Sequence, residues 1–130
     1  MDHSNRTPTI LLIENTPNVY RAFVHAFPPP DWDIQTAASF QEAARILFTR
    51  GPIDLVVCDS HLSSGGAIAL QNWLRQELIL VPFLIFDNNL AKCGRNQDPR
   101  RFYLSKPFTH SELQAAVNNA MQYGLLLHSH

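Results

Sequence analysis

Short apolar runs alternate with segments of helical spacing along the whole chain. That alternation restricts the fold to a parallel α/β sheet covered by helices on both faces. The runs fall at residues 9–13, 53–58, 80–86 and 101–104, with a weaker one at 32–37. Each is shorter than a globular helix and reads as a strand. Thr16-Pro17 supplies a cap and a first-turn proline, and Val19, Tyr20, Phe23, Val24 and Phe27 follow at helical spacing. Pro28-Pro29-Pro30 then stops that helix. Ser39-Phe40-Gln41-Glu42 is a capping box that opens a second helix through Ala43, Ile46 and Leu47, and Arg50-Gly51-Pro52 ends it. Ile68, Leu70, Trp73, Leu74 and Leu78 mark a third. Thr109-His110-Ser111-Glu112 is another capping box, with Phe108 and Leu113 placed as its hydrophobic staple. Leu113, Ala116, Val117, Ala120 and Met121 form the apolar stripe of the last helix. Residues 88–99 are polar and rich in Asn, so a short helix or an irregular loop is expected where a right-handed crossover calls for a helix.

The 130 residues suit one domain, 1–130, with a core at about 9–123 and with 1–8 and 125–130 expected to be flexible. Hydrophobic content of 45% against 16% charged is that of a globular protein. The ten Lys and Arg are scattered and the formal net charge is -1, so direct nucleic-acid binding is set aside. The apolar run at 78–86 falls far short of the ~20 residues a membrane helix needs, and Pro82 interrupts it. The polar amino terminus carries no apolar signal region, so a cytoplasmic location without membrane contact is expected. Cys58 and Cys93 read as free thiols of a reducing compartment. His3, His25, His110, His128 and His130 show no zinc-ligand spacing. Trp32 and Trp73 read as structural, with Trp73 on the buried side of its helix.

The chemistry concentrates at strand ends. Asp59 closes one apolar run and Lys106-Pro107 closes another. In an open parallel sheet, ligands and reactions collect at this carboxyl edge. With sheet order 2-1-3-4-5, Glu14-Asn15, Asp59, Asp87 and Lys106 converge there.

Through these residues the chain resembles the receiver domain of a two-component response regulator. The likeness runs over about residues 9–123. It is carried by Ile10-Leu11-Leu12-Ile13-Glu14-Asn15, Leu55-Val56-Val57-Cys58-Asp59, Val81-Pro82-Phe83-Leu84-Ile85-Phe86 and Tyr103-Leu104-Ser105-Lys106-Pro107-Phe108. The resemblance implies a flavodoxin-like (βα)5 three-layer sandwich with a parallel five-stranded sheet in order 2-1-3-4-5. It also implies a signalling module rather than an enzyme. Asp59 matches the aspartate that takes a phosphoryl group from a histidine kinase or a phosphotransfer protein. Lys106 matches the lysine that clamps the phosphoryl oxygen, Pro107 the proline of a cis peptide bond, and Tyr103 the aromatic switch. Mg²⁺ is then expected on Glu14, Asn15, Asp59 and the backbone carbonyl of His61, since a divalent ion spreads the charge of two meeting anions.

Several positions depart from the pattern. Asn15 stands where a second acid is usual, so Mg²⁺ affinity is expected to fall. Asp87 replaces the usual Ser or Thr and lacks a donor when ionised. A carboxylate ~4 Å from another anion costs about 4 kcal/mol at an effective dielectric of ~20. Asp87 is either a built-in charge that holds Lys106 or a substitution tolerated at a site under little demand. Asn88 narrows the entry, Ser63 replaces a proline, and His61 reads as a solvated loop residue ahead of a water-holding catalyst. These departures leave two readings: a phospho-acceptor at Asp59, or a pseudo-receiver that binds proteins without phosphorylation. A nucleotide-binding enzyme of similar fold is disfavoured, because Glu14-Asn15-Thr16-Pro17 replaces any Gly-rich turn after the first strand.

Overall fold

The computed structural model describes residues 7–13, 17–49, 52–59, 66–77, 81–87, 101–105 and 108–128. These form β1 (Thr9–Ile13), α1 (Pro17–Ala26), β2 (Asp33–Ala37), α2 (Phe40–Thr49), β3 (Leu55–Asp59), α3 (Gly66–Gln76), β4 (Phe83–Asp87), β5 (Arg101–Ser105) and α4 (His110–His128). The strands make one parallel sheet in the order β2-β1-β3-β4-β5, as expected from the sequence. Residues 88–99, where a short helix or a loop was expected, lie outside the described residues, as does Cys93.

Side chains of successive strand residues point to opposite faces, and the sheet sorts its core accordingly. Ile10, Leu12, Leu55, Val57, Leu84, Phe86 and Leu104 pack on one face against Phe23 and Phe27 of the α1 end and Leu113, Val117 and Ala120 of α4. Leu11, Ile13, Val56, Cys58, Phe83 and Ile85 pack on the other against Ala43 and Ile46 of α2 and Leu70 and Leu74 of α3. Both faces being covered, the central strands are apolar throughout instead of alternating. Trp73 packs on the second face between Phe40 and Phe48, and Trp32 sits edge-on to Phe27 at 4.7 Å, so both tryptophans are structural.

Local chemistry sets the element ends. At α4, the Glu112 N–H donates to Thr109 Oγ1 at 3.0 Å and the Thr109 N–H to Glu112 Oε1 at 2.8 Å, the reciprocal capping box. At α2, the Glu42 N–H donates to Ser39 Oγ at 3.2 Å, while the Glu42 carboxylate reaches one residue further back, to the Ala38 N–H at 2.8 Å. Strand β3 begins at Leu55, two residues later than the apolar run suggests. Asp54 is occupied with β1: its N–H donates to the Thr9 carbonyl at 2.9 Å and its Oδ2 accepts the Thr9 N–H at 2.7 Å. Strand β4 begins at Phe83 because Pro82 has no N–H to give, although its carbonyl still accepts from Val56 at 3.1 Å. No helix among the described residues is long and apolar enough to cross a membrane.

Candidate functional site at the carboxyl edge of the sheet

The register arranges the strand ends in rows. Ala37, Ile13, Cys58, Ile85 and Tyr103 face one another across all five strands. One residue further out, Asp59 of β3 is level with Phe86 of β4 and Leu104 of β5. Beyond these, Asp87 is level with Ser105. The central strand therefore ends in Asp59, the neighbouring strand in Asp87 one step higher, and the next in Ser105, which Lys106 follows in the chain.

Leu55 to Cys58 are fully buried, and Asp59 is the first residue of that strand with partial exposure. A carboxylate thus emerges where the buried strand meets solvent, at the middle of the sheet. By the two-residue alternation Asp59 shares the α1/α4 face with Leu55 and Val57. Tyr103 belongs to the other face, half-buried against the cluster that contains Cys58 and Ile85. The aspartate and the tyrosine singled out in the sequence therefore lie one row apart on opposite faces.

Glu14, Asn15, His61, Lys106 and Pro107 lie outside the described residues, and of Asp87 the backbone position is what is described. Sequence reasoning missed the aromatic support under this edge. Phe86, level with Asp59, is fully buried between Phe23 at 5.8 Å and Phe108, whose ring stacks on it at 5.2 Å and 27°. Phe108 was legible as the staple of α4, but its partner on β4 becomes visible only with the sheet order. Ser105 and Phe108, the residues on either side of Lys106-Pro107, are thus held by β4 pairing and by the Phe86 stack respectively.

No protein-family model and no curated protein sequence matches the chain. Solved structures do. The signal receiver domain of an HD domain-containing protein from Pseudomonas fluorescens Pf-5 superposes with a TM-score of 0.79 at 22% identity, over 95% of this chain and 93% of that one. A response regulator receiver domain protein from Clostridium thermocellum gives 0.70 at 22% identity, over 92% and 98%. An adenylate cyclase from Rhodopirellula baltica gives 0.77 at 18% identity, over 95% and 94%. The chain therefore has the fold of response regulator receiver domains, as its strand-end residues led one to expect.

Proposed function

We propose that this chain is a receiver module of a two-component phosphorelay, in which Asp59 accepts a phosphoryl group from a histidine kinase or phosphotransfer protein. The observation that carries the reading is the half-buried Asp59 residue at the end of the central strand, beside the strand that ends in Asp87 and two strands from Ser105, which Lys106 follows in the chain. A carboxylate nucleophile at that edge is reachable from solvent yet backed by a rigid, fully buried strand, which fixes its line of attack. Lys106 offsets charge on the transferred group, and Tyr103, in the middle of β5, reports the change to the surface.

The donor set suits Mg²⁺, which takes hard oxygen ligands, commonly one or two carboxylates together with phosphate oxygens. Glu14, Asn15, Asp59 and the His61 carbonyl offer such oxygens, with the amide of Asn15 contributing no charge. When bound, the ion would neutralise the charge of the meeting anions. Asp87 adds a negative charge at the neighbouring strand end, so occupancy of Asp59 is expected to be low or brief. The same residue favours the second reading, a pseudo-receiver that presents one fixed conformation to a protein partner. Nothing in either reading requires this chain to catalyse a reaction on a separate substrate.

Mg²⁺ titration followed by thermal melting separates the two. A ligand at ten times its Kd raises native stability by about 1.4 kcal/mol. The phospho-acceptor reading predicts a saturable rise that Asp59→Asn removes and Asn15→Asp brings to lower Mg²⁺ concentration. A flat response in the parent and in Asn15→Asp would favour the pseudo-receiver.

A further inference from the structure

Two imidazoles meet across the seam between α1 and α4, away from the strand-end carboxylates. His25 stands in the last turn of α1 and His110 is the first residue of α4. Their ring centres are 5.4 Å apart with an interplanar angle of 73°. Both side chains are exposed, but the seam beneath them is fixed. Ala26, Phe27, Leu113 and Val117 share one buried cluster, and the Gln114 amide donates to the Ala26 carbonyl at 3.4 Å. The two rings therefore sit on separate elements that a packed core holds together.

That separation fits a shared metal ion. With metal–nitrogen bonds of ~2.0–2.1 Å, a ring nitrogen ~1.1 Å from its ring centre and a tetrahedral angle, two ligating imidazoles have centres about 5.2 Å apart. The 5.4 Å observed is close to that separation, and an exposed ring turns about its Cβ–Cγ bond in picoseconds to nanoseconds. Asn18 and Arg21 line the same shallow cavity of about 450 Å³, and Arg21 Nη1 donates to Asn18 Oδ1 at 3.4 Å. The guanidinium charge opposes cations in general. Binding must therefore come from the imidazole–metal bonds themselves, which favours Zn²⁺, Ni²⁺ or Cu²⁺ and disfavours Mg²⁺.

We propose that His25 and His110 together bind one imidazole-preferring divalent cation of the late first row, water completing its coordination. The ion ties the carboxyl end of α1 to the amino end of α4. The proposal does not rest on phosphorylation at Asp59, and this site differs from the strand-end site in its ligand chemistry.

The test is a ZnCl₂ titration of the full chain read by long-range ¹H–¹⁵N correlations of the histidine rings, with His25→Gln and His110→Gln supplying the assignments. The expected result is that ring nitrogens of His25 and His110 shift along one binding curve, unaffected by Mg²⁺. Each substitution should suppress the other ring's shift and weaken binding there by at least the ~10-fold that loss of a supporting partner costs at metal sites. Shifts confined to His3, His128 and His130, or a His25 curve unchanged by His110→Gln, would overturn the proposal. Both substitutions fall on exposed side chains above the packed seam, so the variants are expected to fold and supply the assignments.

Discussion

Replacing Phe108 by Ala tests whether the aromatic stack is what anchors the chain beside Lys106. Phe108 is half-buried and its ring stacks on the fully buried Phe86 at 5.2 Å. Full burial of a phenylalanine is worth about 1.5–3 kcal/mol, so half burial contributes roughly 1 kcal/mol. The ring pair adds about 0.5–1.5 kcal/mol beyond area. The expected loss is therefore about 2 kcal/mol, or a fall in Tm of about 8 °C for a domain of this size. Urea unfolding measures it directly. A double-mutant cycle with Phe86→Leu should then return a coupling of about 0.5–1.5 kcal/mol. Because Ser105 and Phe108 bracket Lys106-Pro107, phosphoryl occupancy of Asp59 in Phe108→Ala should also drop under conditions where the variant remains folded. A loss below ~0.5 kcal/mol, or additivity of the two substitutions, would refute the reasoning, since contacting core residues couple and independent ones do not.

Two further outcomes are expected. Asp87→Thr removes a negative charge at the strand end next to that of Asp59 and supplies a hydroxyl donor, so acyl-phosphate lifetime, followed by the decay of the phosphorylated mass, should lengthen; an equal or shorter lifetime would show that Asp87 does not oppose the phosphoryl group. Thr109→Ala removes the acceptor of the 3.0 Å bond from the Glu112 N–H and should cost about 1 kcal/mol in chemical denaturation, with Thr109→Ser recovering most of it.

Much of the fold was legible because local signals and burial agree. The first strand was read at residues 9–13 and is found there, since every residue in it is buried. The α4 capping box forms as read, α2 keeps its Ser39 cap while the Glu42 carboxylate turns to the Ala38 N–H, and the stripe Leu113, Val117, Ala120 is the buried face of α4. Strand β2 gave the weakest signal, for a physical reason: it is an edge strand with only Ala37 fully buried, so neither a continuous apolar run nor clean alternation marks it. The late starts of β3 and β4 reflect Asp54 bonding across to Thr9 and the missing N–H of Pro82, both of them contacts between strands. At the site, Asp59 and its neighbours were recognisable from strand-end position. The Phe86–Phe108 stack and the His25–His110 pair were not, because each joins residues far apart in the chain that only the sheet order and helix packing bring together.

The most direct test of the account is intact-mass spectrometry of the full chain after incubation with acetyl phosphate and excess Mg²⁺, beside an Asp59→Asn control. The account predicts a gain of one phosphoryl group in the parent protein and none in the control. No gain in a folded parent protein, or an equal gain in the control, would contradict the assignment of Asp59 as the acceptor.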